Sequence, residues 1–287
     1  MLTLLFDGIA YGMLLFVLAV GLAVTLGLMN FINLAHGAFA MAGGYITVLL
    51  MNRLGVPFLA TLPLAFLGTA LIGALLEPLL YRRLYGKPHL DQVLFSIGIV
   101  FMAVTGVDFI IGSTQQNITL PAWLQGRFDI SWIGIGKYRL FIIVVCAALA
   151  IGLQWMLANT RFGSQLRASV DDPRVAGGLG LNVNRIFLLT FAVGSGLAGL
   201  GGALGAEILG LDPSFPLKFM IYFLIVVSVG GTTTLTGPLL AALLLGIADV
   251  AGKYYVPKLG AFIVYTLMIV ILLLRPQGLF ARAGGGK

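Results

Sequence analysis

The stretch NFINLAHGAFAMAGGY, Asn30 to Tyr45, decides how this chain is threaded. A long apolar run precedes it and another follows it. Yet it carries two asparagines, a histidine and three glycines. An unpaired polar group in hydrocarbon costs several kcal/mol. Asn30, Asn33 and His36 must therefore face protein or water, or lie at an interface. Two threadings satisfy that demand. One is a short turn at the membrane surface between two spans. The other is a helix interruption at depth, with Gly37, Gly43 and Gly44 letting the chain bend beside a cavity.

The surrounding sequence sets the frame for both. The 287 residues are 60% hydrophobic and only 9% charged, and the mean hydropathy is +1.06. Soluble domains carry roughly 25% charged residues, so no water-soluble surface can be built here. The apolar runs are long and continuous. A membrane barrel would instead show alternating segments of about ten residues. The expected fold is all-α and polytopic, a single transmembrane domain over residues 1–287 with about eight spans, some of them discontinuous. The spans fall near 4–29, 35–51, 58–80, 92–111, 139–158 and 186–209, then a seventh that is itself broken, then 259–274. A polar stretch follows the fourth span and reads as an exposed loop with interfacial tryptophans.

Charge sets the orientation. Arg82, Arg83, Lys87, Arg161, Arg167, Arg174, Arg185, Arg275, Arg282 and Lys287 fall on one side. Arg53, Arg127, Lys137, Arg139, Lys218, Lys253 and Lys258 fall on the other, ten against seven. The first group is clustered beside helix ends and marks the cytoplasmic side, which leaves the N-terminus outside. The net charge of +7 has this cause, and no basic run is dense enough for nucleic acid. The lone Cys146 excludes an internal disulfide and a thiol metal cluster. The first apolar run lacks a basic flank and a cleavage site, so it reads as a permanent span. Asp7, Glu77, Asp108, Glu207 and Asp249 sit near span ends, as interfacial anchors do. Glycine is twice as frequent as usual, with 39 residues. Gly194, Ala198 and Gly202, and likewise Gly201 and Gly205, form small-residue faces for close helix packing.

Enzyme chemistry finds no support. Ser195 lies in AVGSGLAG, where an intramembrane serine protease would need glycine in place of Val193. His36 and His89 are the only histidines, and no H-E-x-x-H or phosphate-binding G-x-x-x-x-G-K-[ST] occurs. No Asp/Glu/His chain suggests a proton relay. If ATP drives this protein, another chain hydrolyses it, and the chain needs no cofactor of its own. The interruption VGGTTTLTGP, Val229 to Pro238, matches Asn30–Tyr45 in character. Two such breaks in the two halves of a membrane chain point to a transporter. Between the fifth and sixth spans, Asp172-Pro173 has cap and first-turn chemistry. RVAGGLG follows as a short helix that Gly180 can stop. SQLRASV before it forms another turn or two, with Ser164 as cap. The loop thus presents Arg167, Asp171, Asp172 and Arg174 on short amphipathic helices, either lying on the membrane or docking a cytoplasmic partner.

The order of GLAVTLGLMNFINLAHGAFAMAGGY, RFGSQLRASVDDPRVAGGLGLNVNR, VGGTTTLTGPLLAALLLG and LLRPQGLFAR resembles the permease subunits of branched-chain amino acid ABC transporters of the LivH/LivM type. The similarity covers nearly the whole chain and is closer to the shorter, LivH-like member. The resemblance implies a coupling loop over residues 159–185 that contacts an ATPase through Arg167, Asp171, Asp172, Ala176 and Gly180. It implies that Asn30, Asn33, His36, Gly37, Gly43 and Gly44, with Gly230, Gly231 and Gly237, border the translocation path. It also implies a second homologous permease chain, two P-loop ATPase chains and a periplasmic binding protein, in the inner membrane of a bacterium and its lipid. Alternating access would move the substrate. Leucine, isoleucine and valine lead as cargo; urea, short amides and other amino acids belong to the same family. A self-sufficient secondary transporter or channel is the competing class. GGTTTLTGP departs from the family's usual Gly, Ser and Pro run, which bears on the lining of the path.

Overall fold

The computed structural model describes residues 1–29, 31–130, 133–231, 234–275 and 278–279. In chain order the helices are α1 (Leu2–Met29), α2 (His36–Leu54), α3 (Phe58–Leu79), α4 (His89–Ile111), α5 (Lys137–Asn159), α6 (Arg161–Asp171), α7 (Pro173–Gly178), α8 (Val183–Leu209), α9 (Phe215–Gly230), α10 (Thr236–Tyr255) and α11 (Gly260–Leu274). Six of them, α1, α3, α4, α5, α8 and α10, are long and apolar enough to cross a membrane. The chain is therefore an all-α, multi-pass membrane protein.

The architecture follows from which helices are apolar all round. In α1 nearly every residue from Gly8 to Thr25 is buried, and α8 is buried from Thr190 to Ala206. These two form the axis. In α4 only Gln92, Ser96 and Val100 are buried, so it lies at the periphery. The axis holds together by backbone approach. A methyl group on Gly202 would overlap the Ala40 carbonyl, and one on Gly43 would overlap Gly199. The small-residue faces expected on α8 are therefore its seams with α1 and α2.

The threading question is resolved by His36. Its Nε2 lies 2.9 Å from the Leu18 carbonyl oxygen. Leu18 is eleven residues before the end of α1, about 16 Å at 1.5 Å per residue. After α1 the chain thus turns back alongside it, and α2 starts at half depth. Residues 31–35 are non-helical backbone at membrane depth, which is tolerated only inside protein. Phe31, Asn33 and Ala35 are accordingly buried. Asn30 itself lies outside the described residues.

The segment read as one broken seventh span is two helices. Gly230 meets Pro238, where a Cβ would sit 2.5 Å from the Pro238 Cα. Further along, the Tyr222 hydroxyl is 3.4 Å from Asp249 Oδ1. The paired positions converge at the break, so α9 and α10 run antiparallel. Gly231, at φ 78°, ends α9 in the left-handed region that glycine favours.

The stretch after α4 contains a feature the loop reading lacks. Strands β1 (Arg127–Ile130) and β2 (Ile133–Gly136) pair antiparallel, with Arg127 opposite Gly136 and Phe128 opposite Ile135. The hairpin lies at the end of the bundle that holds the start of α1, since Asp7 pairs with Arg139. The α6–α7 segment caps the opposite end.

Candidate translocation and coupling site

The re-entrant segment is pinned by side chains from far along the chain. Gln92 Oε1 accepts from the Ile32 amide at 3.0 Å, and Gln92 Nε2 donates to the Lys87 carbonyl at 3.1 Å. Phe31 inserts edge-on between Tyr81 and Tyr85, with centroids at 5.7 and 5.5 Å. Burial pushes the Tyr85 phenol above its ordinary pKa, so it stays neutral beside the Glu77–Arg82 pair. That pair is two-pronged, at 3.1 and 2.6 Å, with Glu77 fully buried. Removing one partner would strand the other's charge.

The residues expected along a path fall into two sets. Asn33, His36, Gly37, Gly43 and Gly44 are all buried in the protein's own packing. His36 is held by Leu18 and meets Phe223 edge-on at 6.2 Å. Gly37 lies on Pro216, and Gly44 lies on Leu211. Gly230, Gly231 and Gly237 are buried at the α9–α10 turn. The same turn, however, opens outward at its next residues. Thr234 and Leu235 line a cavity of about 440 Å³ together with Val24, Gln154, Leu166 and Arg167. Leu235 also lines an adjoining groove of about 290 Å³ with Phe16, Gln154, Trp155 and Asn159. The second interruption and the α6–α7 segment therefore meet at one opening.

The α6–α7 segment is built by local chemistry. Thr160 caps α6, accepting from the Gly163 amide at 3.3 Å. Ser164, the expected cap, instead donates to the Arg161 carbonyl at 2.9 Å. Asp172 caps α7, accepting from the amides of Arg174 and Val175 at 2.9 and 3.0 Å, with Pro173 in the first turn. The Gly180 amide bonds the Gly177 carbonyl and the Leu181 amide bonds the Ala176 carbonyl, with Gly180 at φ 86°. That is the Schellman closure, and Gly180 stops the helix as its type predicts. Arg167 donates to the Leu157 carbonyl, tying α6 to the end of α5.

Of the five residues expected at an ATPase contact, Arg167, Asp171, Asp172 and Gly180 are exposed. Ala176 is not: it is 2% exposed and anchors α7 against the body. Two residues absent from the expected set are Val175 and Leu179, 58% and 77% exposed. They are four apart, Val175 within α7 and Leu179 capping its C-terminus, and form an apolar tip in an otherwise polar segment. That spacing was the available signal.

Membrane helices threaded by a buried re-entrant segment, with a capped amphipathic knob at one end, define a multi-pass permease. The chain belongs to the branched-chain amino acid transport system / permease component family, whose model matches residues 4–272. It is 27% identical to the high-affinity branched-chain amino acid transport system permease protein BraD of Pseudomonas aeruginosa, over 97% of this chain and 95% of that protein. It is 28% identical to the probable branched-chain amino acid transport permease protein LivH of Methanocaldococcus jannaschii, over 94% and 90%. The high-affinity branched-chain amino acid transport system permease protein LivH of Escherichia coli is 25% identical over 97% and 94%. No solved structure matches the chain.

Proposed function

We propose that this chain is a transmembrane subunit of an ATP-driven importer of branched-chain amino acids in the bacterial inner membrane. It works beside a second, homologous permease chain, two P-loop ATPase chains and a periplasmic binding protein. The chain itself carries no ATPase motif, so hydrolysis belongs to the partners. The observation that carries this reading is the exposed, rigidly capped α6–α7 knob bordering the cavity that Thr234 and Leu235 line. In this reading the cavity end faces the cytoplasm and the hairpin end faces outward.

The coupling role falls to Arg167, Asp171, Asp172 and Gly180, joined by Val175 and Leu179, with Ala176 as their anchor. A knob with a fixed shape transmits displacement, because packed elements switch rather than deform. Motion of the ATPase would move α6, which holds the end of α5 through Arg167 and borders the α9–α10 turn. The path would then run along the α1–α5–α10 face. Asn33, His36, Gly37, Gly43 and Gly44 would set α2 behind it, and Gly230, Gly231 and Gly237 would shape the turn beside it. Rocking between outward and inward openings would move the cargo.

Purification of the tagged chain from its native membrane in mild detergent tests the assembly. A P-loop ATPase and a related permease should co-purify, and leucine uptake in proteoliposomes should require ATP and the binding protein. Arg167→Glu or Asp172→Lys should abolish uptake while the chain remains inserted. A chain that purifies alone and still moves solute would overturn the proposal in favour of a secondary transporter.

A further inference from the structure

At the hairpin end the protein forms an open groove of about 640 Å³, within the rough 300–1,000 Å³ range of small-molecule sites. Leu120, Leu124 and Tyr138 supply apolar wall, and Arg127, Arg139 and Glu207 supply charge. The Tyr138 hydroxyl donates to the Leu204 carbonyl at 2.6 Å, so its polar end is tied to α8. Arg139 also lines an adjoining cavity of about 300 Å³ that holds Asp7, Asp249 and Lys253. Most of these charges are matched: Asp7 by Arg139, and Asp249 by Lys253 at 2.6 Å. Arg127, on β1, and Glu207, on α8, enter no ion pair among the described residues. Both are exposed, so one cation and one anion, on different elements, line the same groove without a protein partner among the described residues.

The geometry points to this groove as an outward-side holding site for a zwitterionic amino acid with an apolar side chain. Arg127 takes the carboxylate and Glu207 takes the ammonium. Leu120, Leu124 and the Tyr138 ring cover the side chain. The inference rests on the importer reading above and adds to it a location and two charged poles. Urea and simple amides carry no net poles and would leave both side chains unmatched. A carboxylic acid without an amine would leave Glu207 facing its own kind of charge, which is repulsive rather than neutral. The groove lies at the end opposite the α6–α7 knob, where cargo would arrive. Charge-assisted contacts of this type are the strong ones, and their loss reads directly in ligand ranking.

The test uses the intact complex in nanodiscs, without the binding protein. Bound radiolabelled leucine is displaced by leucine, leucinamide, 4-methylpentanoate or urea. Wild type should rank leucine about tenfold ahead of both single-pole analogues, with urea inert. Glu207→Gln should weaken leucine about tenfold and erase its advantage over 4-methylpentanoate. Arg127→Gln should erase its advantage over leucinamide. Glu207→Asp should restore most of the wild-type ranking, which a merely structural role would not predict. Co-elution with the partner chains verifies that each variant assembles. Absence of leucine binding at millimolar concentration, an unchanged ranking in both variants, or competition by urea would each overturn the site. ATP-driven leucine uptake by the same wild-type complex separates the two claims. Uptake without the binding pattern sinks the site alone, and no uptake of any branched-chain amino acid sinks the importer reading.

Discussion

Replacing Gly12 by alanine tests whether backbone contact holds the α1–α10 crossing. A Cβ at Gly12 would sit 2.8 Å from both the Ala242 oxygen and the Leu243 Cα. Ordinary contact begins at 3.4 Å, so the helices must separate by 3.4 − 2.8 = 0.6 Å. Both obstructing atoms are helix backbone and cannot rotate away. Gly246 faces Gly12 across the same crossing, so the strain cannot be relieved by sliding along the seam. Overpacking of this kind costs about 1–3 kcal/mol, with two rigid contacts placing it in the upper part of that range. Alanine's better helix propensity returns roughly 1 kcal/mol. The net loss is about 1–2 kcal/mol, or about 2–8 °C in apparent melting temperature. Gly98→Ala on α4 is the internal control, because nothing lies within 4 Å of its Cβ position. There only the propensity gain remains, and the melting temperature should rise by a few degrees. The assay is the fraction of detergent-solubilised protein that stays monodisperse after brief heating. Two variants moving in the same direction, or a stabilised Gly12→Ala, would refute the seam.

Three further outcomes follow from the same structure. His36→Leu removes the bond to the Leu18 carbonyl and should cost roughly 1 kcal/mol, with His36→Gln recovering part of it; equal thermal stability of the wild type and His36→Leu would remove His36 from the re-entrant anchor. Val175→Glu combined with Leu179→Glu should reduce co-purification of the ATPase and abolish uptake without lowering the amount of inserted chain; normal uptake would exclude α7's apolar tip from the contact. Burial pushes the Asp212 carboxyl up, but hydrogen bonds from Lys218 and Ser214 more than offset this and hold its pKa below the usual range. Its stabilising effect is therefore complete above the ordinary carboxylate pKa of about 3.9 and is lost as pH falls through the lowered folded value. Asp212→Asn should flatten the acid limb of the stability profile, and an unchanged limb would exclude that turn as its source.

What could be read from the amino acids divides along range. Continuous apolar runs located the long helices, because length and hydropathy are local. Asp172-Pro173 and Gly180 located α7 for the same reason, since caps act within a few residues. The re-entrant segment was a different case. A surface turn and a mid-depth re-entry place the same polar residues between the same apolar runs. What separates them is Leu18, Gln92, Tyr81 and Tyr85, three of which lie at least 50 residues from Phe31. The α9–α10 turn was ambiguous in the same way, because a broken span and a helix pair differ only in direction. The hairpin reads as loop although Phe128 and Ile130, then Ile133 and Ile135, alternate at period two. Four-residue strands give too short a run to stand out from a loop.

The α6–α7 segment shows where local legibility stops. Cap chemistry determines that α7 exists but not which way it faces. α7 turns Ala176 inward and leaves Val175 and Leu179 outward. The exposed apolar positions thus lie one residue before and three residues after Ala176, the residue expected from the family pattern. This matters for coupling. In the proposed coupling, an apolar pair four residues apart would enter a cleft of the ATPase, with Asp171 and Asp172 setting charge at its rim. Arg167 is committed inward as well as exposed, because its guanidinium already holds the Leu157 carbonyl. A pull on α6 therefore reaches α5 directly and reaches the Thr234–Leu235 opening through the cavity wall they share. Of the threonines that depart from the family's usual run, Thr234 lines that opening. In the proposed path, a side-chain change at Thr234 would alter passage without touching the packing at Gly230 and Pro238.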